Sequence, residues 1–310
     1  MIKQAEDPGI GEKFTDKTKR VINKDGSFNV NRRGLKNVNV YQYLVEISWL
    51  RFLVIVFAGY IITNIIFASL YLSIGIQHLQ GAEANTPMNA FLNAFFFSVH
   101  TFTTVGYGSI SPKGVAANTI AAMEAAVGLM SFAIATGLLY GRFSRPSASL
   151  AFSGNAVVAP YRGITGLMFR IANLRTNVLA ELEVKVLLMT VDKVNGQYQR
   201  KYFDLPLERA TIHFLPLTWT IVHPINDSSP FFGRTEKEMN FTEVEIIIQV
   251  KGFDETFSQV VRTRYSYRYD EIIWNAKFIP AFHIAEGGDL ILDIDKINNI
   301  EKLEGLQEHH

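Results

Sequence analysis

Residues 100–112 read HTFTTVGYGSISP, and the fold turns on what flanks them. Gly106 and Gly108 make a continued helix costly, by about 1 kcal/mol each relative to alanine. Yet both flanks are apolar stretches long enough to cross a bilayer. Residues 52–76 contain no Lys, Arg, Asp or Glu. A helix of that length, at about 1.5 Å per residue, exceeds the ~30 Å hydrocarbon core. Trp49 and Arg51 stand at its start, suited to an interfacial anchor and a snorkelling cation. The second span, residues 115–140, is rich in Ala and Gly, which lets helices cross closely in lipid. Glu124 is its single ionisable side chain before Tyr140, and a carboxyl at that depth belongs in the bundle interior or against water.

Between the spans, residues 89–103 (NAFLNAFFFSVHTFT) are apolar but too short to cross, which suits a re-entrant segment. Non-helical backbone survives at membrane depth only where protein buries it or it lines a water-filled path. The sequence therefore predicts a half-helix that dips in and an extended strand that returns along an aqueous axis. Carbonyls of Thr104, Val105, Gly106 and Tyr107, repeated by several subunits, would stack as rings that replace the hydration shell of an ion. Gly106 and Gly108 supply backbone angles closed to other residues, and the C-terminal dipole of the half-helix favours a cation. A dinucleotide-binding loop is excluded, because position 111 is Ser where a third glycine is required.

The remaining composition narrows the possibilities. Among 310 residues, Lys+Arg of 30 against Asp+Glu of 29 leaves a net charge of +1, so no broad field attracts nucleic acid. The absence of cysteine excludes disulfides, thiolate catalysis and Cys-ligated metal. Basic residues Arg32, Arg33, Lys36 and Arg51 precede the first span and Arg142, Arg145 and Arg162 follow the second, with only Lys113 between. The positive-inside rule then places both termini in the cytoplasm. Residues 1–36 are expected to be a mobile or extended cytoplasmic arm and 37–48 an amphipathic helix on the inner membrane surface. Residues 49–141 make up the pore domain, with 104–108 at its centre. Residues 304–310 resemble a tag remnant.

Residues 142–303 change character. Short apolar or alternating runs such as ELEVKVLLMTV and TEVEIIIQVKG, separated by turn signals, predict a β-sandwich. His213 and His223 lie within it, with no metal-ligand spacing and no nucleophile-base pair, so each is expected to be structural.

TVGYG is the filter sequence of potassium channels. Together with two spans, GRFSRP at 141–146, FRIANLR at 169–175 and HPINDSSPFFG at 223–233, it makes the chain resemble the inward-rectifier potassium channel family, its prokaryotic branch in particular. The resemblance covers residues 49–274. It implies a membrane α-helical pore of two transmembrane helices plus a re-entrant pore helix, carrying a C-terminal all-β immunoglobulin-like sandwich. It implies a homotetramer in the inner (plasma) membrane that passes K+ through Thr104, Val105, Gly106, Tyr107 and Gly108, with no cofactor. By the same resemblance, Phe132 takes the position of the rectification-controlling residue, so weak rectification is expected, and Tyr140 takes the bundle-crossing gate. Trp49, Arg51, Arg142 and Arg145 are candidates for anionic phospholipid, and Gln259, Val260 and Val261 for a cytoplasmic pore loop. His100 replaces the usual carboxylate behind the filter and is taken with Glu124 as filter support. The alternatives are a poorly selective cation channel and a membrane-anchored ligand-sensing or docking module.

Overall fold

The computed structural model describes residues 4–14, 19–31, 33–34, 39–83, 85–144, 149–241 and 243–303. It divides into two compact units, Arg33–Arg145 on one side and Met1–Arg32 with Pro146–His310 on the other. The chain begins with β1 (Gln4–Ala5) and β2 (Lys13–Phe14). Then come α1 (Val40–Glu46), α2 (Trp49–Ile74), β3 (Leu79–Gln80), α3 (Pro87–Phe102), β4 (Ser111–Pro112) and α4 (Gly114–Phe143). The rest is almost wholly strand: β5 (Leu150–Phe152), β6 (Ala156–Tyr161), β7 (Ile164–Asn173), β8 (Leu179–Val194), β9 (Gln197–Asp204), β10 (Thr211–Phe214) and β11 (Thr218–Ile225). A short α5 (Glu236–Phe241) precedes β12 (Glu245–Asp254), β13 (Gln259–Arg268), β14 (Ile272–Trp274), β15 (Ala276–Phe278), β16 (Phe282–Ile284), β17 (Leu290–Leu292) and β18 (Ile300–Lys302).

In the helical unit, α2 and α4 are the two spans. Only 17 % and 11 % of their most apolar windows are buried, too little for core helices of a soluble protein, so their apolar faces await lipid or other subunits. The α2 helix stops at Gly75, whose φ of 101° no side-chain-bearing residue adopts comfortably. The α3 helix starts two residues earlier than the apolar pattern suggests. Thr86 Oγ1 accepts from the Asn89 amide at 3.1 Å, and Pro87 occupies the first turn, where its missing N–H costs nothing. Phe67, Ala68, Tyr71, Leu79, Ala94 and Phe97 form the core between α2 and α3.

In the other unit, a seven-stranded sheet ordered β1-β9-β8-β12-β13, with β2 on β9 and β10 on β8, faces a five-stranded sheet ordered β11-β7-β6-β14, with β5 on β7. Pairing is antiparallel apart from β14 on β6. The core lies between the sheets, where Phe169, Ile171 and Ile221 meet Val184, Leu188, Ile246 and Tyr267. This is the expected sandwich.

The N-terminal arm does not form a domain of its own. β1 and β2 extend the large sheet at β9, while Val21 and Ile22 pack on its outer face against Met189, Tyr202 and Ile247. Buried Glu245 accepts from the amides of Val21 and Ile22 at 3.0 Å and 3.3 Å, and Ser266 Oγ donates to the Ile22 carbonyl at 2.8 Å. Residues 35–38, most of the stretch leading into α1, lie outside the described residues, as do 304–310.

Candidate ion pathway

The segment after α3 is not helical, and its backbone shows why. Thr104, Gly106 and Gly108 have φ of 59°, 58° and 82°, whereas Val105 and Tyr107 remain on the ordinary side. Alternating the two hands residue by residue turns successive peptide planes the same way, so carbonyls can line one side of the strand. Glycine permits this at 106 and 108. At Thr104 it runs against a β-branched side chain, and local hydrogen bonds hold it. The amides of Val105 and Gly106 both donate to the His100 carbonyl, at 3.0 Å and 3.3 Å, and the Thr104 amide donates to Thr101 at 3.0 Å. Nothing in the residue type at 104 signals this conformation.

His100 faces the returning strand. Its ring meets that of Tyr107 edge-on, with centroids 4.8 Å apart. Glu124, paired with it in the sequence reading, goes elsewhere: Tyr71 Oη donates to Glu124 Oε2 at 2.7 Å, and Ser98 Oγ bonds Glu124 Oε1. The second contact between α3 and α4 is backbone on backbone. A Cβ at Gly128 would lie 2.2 Å from the Phe102 carbonyl oxygen, so only glycine fits there. Beyond the strand, β3 pairs with β4 and Gly81 approaches Ser109 so closely that a Cβ would lie 2.2 Å from its carbonyl. Both ends of the TVGYG segment are thus held by backbone. Sequence reasoning missed Tyr71 and Ser98, because other hydroxyls stand in the same apolar helices, among them Tyr60, Thr63 and Ser69 in α2 and Thr101 in α3, and nothing local singles out the two that meet Glu124.

At the other end of α4, Phe132 and Tyr140 are each 73 % exposed in the single chain. Their separation of eight residues returns both to nearly one face. Phe132 borders a groove of about 740 Å³ whose wall also includes Tyr60, Thr103, Thr104, Gly128 and Leu138. Arg142 is turned inward. Its guanidinium donates to the carbonyls of Leu44, Val45 and Ile47 at 2.5, 3.2 and 2.7 Å, groups that the end of α1 would otherwise leave unpaired. It also lies 4.6 Å from the Trp49 and Phe52 ring centroids, a cation–π arrangement. Arg51 is exposed. Arg145 lies outside the described residues.

Two families match the chain: the inward rectifier potassium channel C-terminal domain over residues 150–309 and an ion channel family over residues 52–145. The inward rectifier potassium channel Kirbac3.1 of Paramagnetospirillum magnetotacticum is 36 % identical over 91 % of this chain and 95 % of its own length. The chain belongs to the inward rectifier potassium channel family. More distant relatives include the G protein-activated inward rectifier potassium channel 3 of Mus musculus, 26 % identical over 86 % of this chain and 74 % of its own. Channel 2 of the same type from Homo sapiens is 27 % identical over 93 % and 74 %. These families and relatives are ion channels, not enzymes.

Within the sandwich of this inward rectifier, Gln259, Val260 and Val261 are the first residues of β13, paired with Asp254, Phe253 and Gly252. Val260 is 52 % exposed but Val261 is buried in the core. The turn proper is residues 255–258. Buried Asp254 holds it by accepting from the amides of Thr256 and Phe257 at 3.0 Å and 3.3 Å and from Asn177 Nδ2 at 2.8 Å. His213 is exposed on β10. His223 is buried, its ring nitrogens 2.6 Å from the Pro206 carbonyl and 2.8 Å from Ser229 Oγ.

Proposed function

We propose that four copies of the chain surround one axis in the inner (plasma) membrane, both termini cytoplasmic, and conduct K+ passively with no cofactor. Thr104, Val105, Gly106, Tyr107 and Gly108 line the selective part of the path. The observation that carries the reading is the alternation of positive φ at Thr104, Gly106 and Gly108 directly after α3, a backbone pattern that lets successive carbonyls line one side. In purified protein reconstituted into liposomes, K+ flux is expected to exceed Na+ flux and to be blocked by Ba²⁺. Equal K+ and Na+ flux would identify a poorly selective cation channel. A folded protein without flux, monomeric in detergent, would favour a membrane-anchored sensing module.

Tyr140 and Phe132 narrow the path toward the cytoplasm, where four aromatic rings per level close it sterically and by dewetting. Tyr140→Ala should raise liposome flux; lower flux from intact tetramers would count against the gate. Anionic phospholipid acts through Arg51 and Trp49, which stand exposed at the start of α2. The sandwich passes cytoplasmic signals to the gate.

A further inference from the structure

Asn64, Tyr71, Ser98 and Glu124 are each fully buried, and together they join α2, α3 and α4. Their hydrogens can be counted. Ser98 Oγ lies 3.0 Å from Asn64 Oδ1 and also within hydrogen-bonding reach of Glu124 Oε1. A serine hydroxyl carries one hydrogen, so it cannot donate to both oxygens. Turning the Asn64 amide over does not resolve the conflict. Asn64 Nδ2 donates to the Tyr60 carbonyl at 2.8 Å, and the reversed amide would press oxygen against oxygen there. Tyr71 already supplies its hydrogen to the other carboxyl oxygen at 2.7 Å.

One assignment satisfies every group. We infer that Glu124 is held as a neutral carboxylic acid whose O–H donates to Ser98 Oγ, and that the resulting relay positions α3. The chain runs from Tyr71 Oη to Glu124, from Glu124 to Ser98, from Ser98 to Asn64 and from Asn64 to the Tyr60 carbonyl. Each donor has one acceptor, and no net charge is buried among apolar helices, where an unpaired carboxylate would be prohibitively costly. Tyr71 is the titratable side chain that α2 brings to Glu124, and α3 brings Ser98. His100, two residues further on, has its ring against Tyr107 instead.

The relay sets a register. Ser98 meets Glu124, and one turn later Phe102 meets Gly128, so two contacts four residues apart on both helices fix how far α3 can slide along α4. Thr103 and Thr104 follow directly. Glu124 is therefore a positioning residue that exerts no ionic field on the pathway. Its functional half rests on reading α3 as the pore helix; the proton assignment does not.

Infrared difference spectroscopy of reconstituted wild-type channel minus Glu124→Gln at neutral pH should show a protonated-carboxyl stretching band that shifts in deuterium oxide. A carboxylate band in its place would overturn the inference. In parallel, Glu124→Ala and Ser98→Ala should lose K+ flux and melt at lower temperature. Glu124→Gln should restore both, since a carboxamide donates to Ser98 and accepts from Tyr71. A folded Glu124→Gln tetramer as inactive as Glu124→Ala would also refute the neutral relay. If wild-type protein conducts no K+, the pore reading fails, while the infrared band still decides the proton.

Discussion

His223 is a base locked in one tautomer. The Pro206 carbonyl can only accept, so Nδ1 carries the hydrogen and Nε2 accepts from Ser229 Oγ. Burial in the sandwich lowers its pKa below the usual histidine value, against a smaller opposing push from the Pro206 carbonyl. A base whose folded pKa is depressed stabilises the fold above the unfolded pKa of about 6.5, and that stability is lost as pH falls. Thermal melting of the full-length channel should therefore weaken from pH 7 to 5, by at most about 1.4 kcal/mol per pH unit for this group. Tryptophan fluorescence suits the measurement, because Trp219 and Trp274 both lie in this unit. His223→Asn should flatten the acid slope while lowering neutral-pH stability by roughly 1–2 kcal/mol through lost hydrogen bonds; an unchanged slope would assign acid sensitivity elsewhere. At this scale the sequence was a partial guide. His223, without metal-ligand neighbours, reads correctly as structural, whereas His213, read the same way, stands exposed on β10. The left-handed Thr104 was not legible, since its conformation comes from amides reaching back to the His100 and Thr101 carbonyls.

Helix α1 has seven residues, short enough to be marginal by itself, and its two ends explain its survival. Asn39 Oδ1 accepts from the Gln42 amide at 3.2 Å at one end, and Arg142 closes the other. Gly141 admits α1 at close range, since a Cβ there would lie 2.7 Å from Tyr41 Oη. Arg142 thus joins α1 to the last turn of α4, two residues beyond Tyr140. Arg142→Ala should cost about 1–3 kcal/mol of local stability and raise amide hydrogen exchange across residues 42–47, with Arg142→Lys intermediate because it lacks the planar fork. Exchange unchanged by the alanine substitution would mean the cap is dispensable. Sequence alone marks Arg142 as a juxtamembrane cation suited to lipid. That it reaches α1's carbonyls depends on a contact about a hundred residues away along the chain.

For the whole molecule, the N-terminal arm is the feature that local reading undervalued. Its polar composition suggests a solvated tail, yet Val21 and Ile22 cover an apolar patch on the large sheet. The clue lay in β8. Its main-core face carries Leu182, Val184, Val186 and Leu188 throughout, while the opposite face changes from Glu181, Glu183 and Lys185 to Leu187, Met189 and Val191. A strand apolar on both faces requires a second cover. Deleting residues 1–30 should therefore expose Met189, Tyr202 and Ile247, leave Glu245 without its backbone donors, and cost on the order of 5 kcal/mol. A melting temperature of the truncated channel equal to that of the full chain would show the arm to be ornamental. What the sequence determined by itself was the class of molecule: two charge-poor spans, a glycine-broken segment between them and a β-rich unit beyond. Those are local properties of hydropathy and backbone freedom, legible in a window of residues. What only the tertiary structure decided was partnership: Glu124 with Ser98 and Tyr71, Arg142 with α1, and the arm with β8. Hydrogen bonds and apolar faces are satisfied across long separations in sequence, and a buried polar group takes whichever partner the packed helices bring within about 3 Å.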